Sequence, residues 1–167
     1  WYRLSADQGS SAAQNNLGLM YLYGLGVETD EKEAVQLFRL SADQGEAAAQ
    51  NSLGSMYKNG QGVEKNEKEA VKWYRLSADQ GNAFGQNNLG WMYENGQGVE
   101  TDEKEAVKWY RLSADQGHAV GQNNLGWMYE KGLGVEKDEK EAVKWLRMAA
   151  EQGNVNAIKS LQNLGKQ

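Results

Sequence analysis

Gly9, Gly45, Gly81, Gly117 and Gly153 fall at a strict spacing of 36 residues, and nearly all of the sequence between them repeats with them. The stretch LGWMYENGQGVETDEKEAVKWYRLSADQG, Leu89 to Gly117, returns as LGWMYEKGLGVEKDEKEAVKWLRMAAEQG from Leu125 to Gly153. A unit of this length holds one supersecondary element that cannot bury its own apolar face, so neighbouring units must stack on it. This overrides the prior that 167 residues form one or two ordinary globular domains. The period predicts a single solenoid domain over 1–167: a half-repeat 1–9, full repeats 10–45, 46–81, 82–117 and 118–153, and a capping helix 154–167. Repeats 46–81 and 82–117 agree at 28 of 36 positions, which fits recent duplication or design.

Each unit reads as two helices. Leu17, Met20 and Tyr21 share one helical stripe, as do Leu53, Met56 and Tyr57. Gly18, Gly54, Gly90 and Gly126 lie inside this first helix, each costing about 1 kcal/mol against Ala, and predict close approach of a neighbouring backbone. The helix is expected to end at Gly24, Gly60, Gly96 and Gly132. Asp30, Asn66, Asp102 and Asp138 precede Glu33, Glu69, Glu105 and Glu141 by three residues, a capping-box spacing that starts the second helix. That helix is expected to bury Ala34, Leu37, Phe38 and Leu40, matched by Ala70, Trp73, Tyr74 and Leu76, and to pair Glu69 with Lys72 outside. No strand pattern appears, so the fold class is all-α.

The pattern Leu89, Gly90, Tyr93, Gly96, Gly98, Val99, Asp102, Ala106, Trp109, Tyr110, Ala114, Gln116 and Gly117 resembles the Sel1-like repeat, a relative of the tetratricopeptide repeat. Glu105 stands where that family usually carries Lys. The resemblance covers essentially the whole chain. It implies a right-handed superhelical solenoid of helix-turn-helix repeats, a non-enzymatic adaptor that brings proteins together and holds peptides in its concave groove. It does not supply the partner.

What varies between copies is informative against so constant a scaffold. In the first helix the variable columns are Ala12, Ala48, Phe84, Val120; Leu19, Ser55, Trp91, Trp127; Leu22, Lys58, Glu94, Glu130; and Tyr23, Asn59, Asn95, Lys131. Their offsets share one face, rotated away from the Leu-Met-Tyr stripe. An invariant column, Asn15, Asn51, Asn87 and Asn123, runs between them. On this reading Phe84, Trp91 and Trp127 are aromatic anchors of a protein- or peptide-binding groove, flanked by Val120, Leu19, Ser55, Lys58, Glu94 and Glu130. Trp91 and Trp127 can instead pack against the adjacent repeat. The Asn column serves either an extended peptide backbone or hydrogen bonds between repeats. Glu94 and Glu130 favour a basic or amphipathic ligand, a preference that Lys58 and Lys131 weaken.

Composition closes other routes. A net charge of −5 argues against a nucleic-acid partner. With no Cys and a single His118, neither thiolates nor imidazoles can build a zinc site, and no cofactor is expected. Ser55-Met56-Tyr57-Lys58 spells S-x-x-K, the nucleophile motif of β-lactam chemistry linked to cysteine-rich relatives, but no S-D-N or K-T-G partner accompanies it. A cell-wall or β-lactam-related hydrolase is therefore the rival reading, beside a passive or designed scaffold. The Gly24-Leu25-Gly26 loops follow no strand and are not dinucleotide loops, and Glu31 and Glu33 recur in every unit as solvated charge. No apolar run is long enough to insert in a membrane.

The ends differ. Ala157, Leu161 and Leu164 are expected to pack while Asn156, Lys159, Gln162 and Asn163 make the last helix a polar cap. The chain opens at Trp1, in mid-unit, and is expected to be a piece of a longer protein, with the compartment unread. Trp1, Tyr2 and Leu4 then expose apolar surface, predicting weak self-association through the uncapped N-terminal end or continuation into further repeats.

Overall fold

The computed structural model describes residues 2–165 and is helical throughout, with no strand among the described residues. The expected exposure of Trp1 and of the Tyr2 side chain, and the end of the capping helix, fall outside what is described. The helices are α1 Tyr2–Asp7, α2 Ser11–Tyr23, α3 Glu31–Asp43, α4 Ala47–Asn59, α5 Glu67–Asp79, α6 Ala83–Asn95, α7 Glu103–Asp115, α8 Ala119–Lys131, α9 Glu139–Glu151 and α10 Val155–Leu164. The chain forms two compact units, Trp1–Gly85 and Gln86–Gln167.

Local chemistry sets the boundaries. Asp30 and Asp102 each accept two backbone N–H groups of the following turn at 3.0 Å, and Asn66 accepts one from Glu69. Each cap contributes about 1 kcal/mol. First helices end where Gly24, Gly60 and Gly132 turn left-handed, φ 68 to 70, and donate back to the carbonyls of Met20, Met56 and Met128. Outside, Lys72–Glu69 and Lys108–Glu105 pair at 3.5 and 3.2 Å, worth a few tenths of a kcal/mol each when so exposed.

In the first unit consecutive helices from α1 to α5 pack on one another, and Ala6, Ala13, Leu17 and Leu37 form one core cluster across α1, α2 and α3. The helix glycines are packing sites: a ring and not the expected backbone approaches Gly18 and Gly54, while a side chain and a backbone carbonyl together approach Gly90 and Gly126. A Cβ on Gly18 or Gly54 would lie 2.7 Å from a ring carbon of Phe38 or Tyr74. In the second unit Gly90 lies under Tyr110 and Gly126 under Leu146, with the Ala106 and Ala142 carbonyls at 3.2 Å. The tightest backbone approach occurs in the loops. A Cβ on Gly62 or Gly134 would fall 2.2 Å from the carbonyl oxygen of Glu31 or Glu103 in the preceding repeat.

Leu40 and Leu76, expected inside, are 54% and 42% exposed. On α3 and α5 the inward arc is filled by positions one, four, five, eight and nine of the stripe: Ala34, Leu37, Phe38, Ser41 and Ala42 in the first copy, all buried. Leu40 lies about 100° of helix rotation from Ser41, on the flank. The small Ser takes the inward place because its hydroxyl has work there: Ser41 Oγ donates to the Ser11 carbonyl at 2.8 Å, and Ser77 Oγ to Ala47 at 2.7 Å.

A second polar series joins the repeats. Gln14 donates to the Ala6 carbonyl of the preceding repeat at 3.2 Å and accepts from Gln44 at 2.6 Å. Gln50 does the same with Ala42 and Gln80, and Gln122 with Ala114 and Gln152. Each buried amide is a second donor to a helix-end carbonyl that already accepts the Gly9, Gly45 or Gly117 N–H at 2.9 Å. Its own oxygen is satisfied by the glutamine of the following helix, so the pair ties one repeat to the next with no buried amide atom left unpaired.

Candidate ligand-binding face

The variable residues lie on the side of each first helix turned away from its buried stripe. On α4 that stripe is Ala49, Gln50, Leu53, Gly54, Met56 and Tyr57. Ala48, Asn51, Ser55 and Lys58 lie across the helix from it and are half-buried. In the same unit Leu19 is half-buried, while Phe84, near the start of α6, is 59% exposed.

Ser55 Oγ donates to the Asn51 carbonyl one turn back at 3.2 Å and lies 3.0 Å from the Tyr74 hydroxyl. Burial pushes the Tyr74 phenol up to about 12, so it stays protonated at neutral pH. Lys58 is held below the usual lysine range, first by burial and then by Lys65. The S-x-x-K sequence thus sits in mid-helix with its hydroxyl turned onto its own backbone and a neutral phenol.

In the second unit Asn87, Trp91 and Glu94 on α6 and Val120, Asn123, Trp127 and Glu130 on α8 share the corresponding helix faces. Trp91 and Trp127 are half-buried, each packed on one side against the core that includes Tyr110, Leu125, Met128 and Trp145. Val120 is 44% exposed. Glu94 accepts the Tyr110 hydroxyl in a short hydrogen bond, and burial together with the Glu94 charge raises the Tyr110 phenol far above its usual range. Glu130 pairs with Lys131.

The Asn column is engaged between repeats in this unit. Asn124 donates to Asn87 Oδ1 at 2.9 Å and accepts from Asn123 at 3.2 Å. In the first unit Ser52 occupies the place of Asn124 and turns its hydroxyl to the Ala48 carbonyl at 3.0 Å, and the buried Asn15 Oδ1 has no partner. Sequence reasoning missed the Asn16, Ser52, Asn88, Asn124 column and the Tyr110–Glu94 bond. The first was signalled by its position directly after the invariant Asn.

His118 precedes α8 without making a side-chain cap, and its Nδ1 lies 2.9 Å from Ser113 Oγ. Burial lowers its pKa. Ser113 is fully buried, so this pair offers substrate no nucleophile. Among the described residues no group of His, Asp and Glu could hold a metal ion, and no helix is long and apolar enough to cross a membrane.

None of the curated proteins matches the sequence. A protective antigen of uropathogenic Escherichia coli with an SLR fold is 43% identical, with a TM-score of 0.86 over 94% of this chain and 34% of that one. A Sel1 repeat protein from Oxalobacter formigenes is 41% identical, with a TM-score of 0.83 over 90% of this chain and 60% of that one. The chain therefore spans between a third and three fifths of these two relatives. Cysteine-rich protein B from Helicobacter pylori is 27% identical at a TM-score of 0.62, over 78% of this chain and 94% of that one. The Sel1 repeat model matches residues 1–10, 11–46, 47–82, 83–118 and 119–154. With matches over nearly its full length, and with helix pairs repeating at that spacing, the chain belongs to the Sel1 repeat family and is an all-α solenoid.

Proposed function

We propose that this chain is a non-enzymatic scaffold that binds a peptide or protein segment on the variable face of its first helices. Sel1 repeat proteins are generally protein-interaction scaffolds. The observation that carries the reading here is where sequence variation falls. Near-identical repeats differ most on this face, and they place Phe84 there 59% exposed and Trp91 and Trp127 half-exposed. Aromatic side chains that keep one face in solvent are the residues on which interface energy most often concentrates.

The test is panning of a random peptide display library on the wild-type chain and on a Phe84→Ser, Trp91→Ser, Trp127→Ser variant, with circular dichroism matching the two in helicity. Peptides enriched on the wild type should lose binding to the variant. Equal binding to both, or no enrichment at all, overturns the assignment of the face.

A further inference from the structure

We infer that a cavity of about 200 Å³ in the second unit, lined by Glu130, Lys131, Lys137, Glu139 and Leu164, is a binding site for a free α-amino acid with an aliphatic side chain. The inference concerns a small zwitterion and goes beyond peptide binding on the first-helix face.

The observation that carries it is a pair of charges left apart. Lys65 and Glu67 close a salt bridge of 2.9 Å at the entry to α5. Lys137 and Glu139 hold the same two positions at the entry to α9, two repeats on. They do not pair with each other, and among the described residues neither side chain has another polar partner. Both are exposed, and both line the cavity. A spacing that closes a bridge in one repeat and leaves it open in another holds an ammonium and a carboxylate ready for a ligand with the opposite pair.

The remaining walls narrow the ligand. Lys131 is paired to Glu130, so these two add no net charge. An inorganic anion would meet two carboxylates beside its two ammonium groups, and a metal cation the reverse. A zwitterion avoids both repulsions. An α-amino acid carries its two charges on one carbon, and can set its carboxylate on Lys137 and its ammonium on Glu139 through charge-assisted hydrogen bonds. Leu164 supplies an apolar wall: it is half-buried and packs against the cluster of Leu146, Ala149 and Ala157. An aliphatic side chain laid on it leaves water. The volume lies below the roughly 300–1,000 Å³ of sites for drug-sized ligands, so a single amino acid suits it and a peptide does not.

The test is titration of the whole ¹⁵N-labelled chain with L-leucine at pH 7 and constant ionic strength, read from backbone amide signals. Those of Lys137 and Glu139 should shift and saturate in the millimolar range, because exposed charges contribute little each, while those of Lys65 and Glu67 should stay. N-acetyl-leucine lacks the ammonium and leucinamide the carboxylate, so each should bind about fivefold less tightly or worse. Lys137→Thr installs the residue that Thr29 and Thr101 hold in their repeats, and Glu139→Gln keeps the side-chain size. Each should weaken leucine binding about fivefold, and Lys65→Thr should leave it unchanged. The absence of a saturable shift overturns the inference. So does leucine binding that both variants leave intact, or N-acetyl-leucine and leucinamide binding as tightly as leucine.

Discussion

Ser52→Asn should stabilise the protein, because it supplies the one donor that the first unit lacks. In the second unit Asn87 Oδ1 accepts from Asn124 at 2.9 Å. The equivalent acceptor, Asn15 Oδ1, is buried with no partner, in a residue only 8% exposed, and the donor position two repeats before Asn124 is Ser52. A buried acceptor without a hydrogen bond costs about 1–3 kcal/mol, and a formed bond contributes about 1 kcal/mol net. Against this stand the Ser52 bond to Ala48, a back-bond of little worth, and a propensity loss of about a few tenths of a kcal/mol. The balance is a gain of about 1 kcal/mol, or about 2–4 °C in Tm for a chain of this size. The measurement is the urea midpoint at constant slope, since repeat arrays can lose two-state behaviour. Asn124→Ser is the mirror control and should cost about as much as Ser52→Asn gains. If Asn124→Ser destabilises while Ser52→Asn does nothing, Asn15 is already satisfied by water and the reasoning about its orphaned oxygen is wrong.

Other perturbations test the packing and the ends. Gly62→Ala should cost about 3 kcal/mol or more in urea unfolding, because its Cβ would enter the Glu31 carbonyl at 2.2 Å, whereas Gly26→Ala, with only the Met20 methyl at 3.9 Å, should cost about 1 kcal/mol of left-handed strain. His118→Asn should gain about 1 kcal/mol by restoring the cap that Asn82 and Asn154 make in their repeats. The same variant should flatten the pH profile of stability. Burial lowers the folded pKa of His118 below 6.5, so its contribution is complete above pH 6.5 and is lost as pH falls through the lowered value. Sedimentation at high concentration should show weak self-association that Leu4→Glu removes, Leu4 being 66% exposed on α1; a clean wild-type monomer would contradict it. A chromogenic cephalosporin should be turned over no faster by the wild type than by Ser55→Ala, and any Ser55-dependent turnover would return the hydrolase to consideration.

The repeat, its helix pairs and their caps were legible because each rests on local chemistry. Asp30 caps with the N–H groups two and three residues on, and the Gly24 turn needs only its own φ. What was not legible depends on the neighbouring repeat. Gln14 and Gln44 are polar, and a period argument assigns polar residues to the surface, yet the structure buries Gln14 between repeats as a joint. The signal was their identity in all four copies, Gln14, Gln50, Gln86 and Gln122 against Gln44, Gln80, Gln116 and Gln152. A surface amide has no reason to be so constant. The same reasoning separates the glycines. Gly18 and Gly62 are equally invariant, but one yields to a ring and the other to a backbone, a difference set by what the facing helix presents and not by the glycine itself.

That distinction bears on the candidate face. Constancy in this chain marks joints between repeats, as Asn87 shows by spending its carbonyl on Asn124. Variation therefore marks the positions the joints do not need. Trp127 tests the rule because it belongs to both classes: it packs against the core of its unit and yet stays half-exposed, at a position where the first repeat carries a half-buried Leu19. Leucine at the first-repeat position shows that the fold does not require an indole there. The additional aromatic surface is available for a partner, and a Trp127→Leu chain of unchanged stability and reduced peptide binding would be its signature.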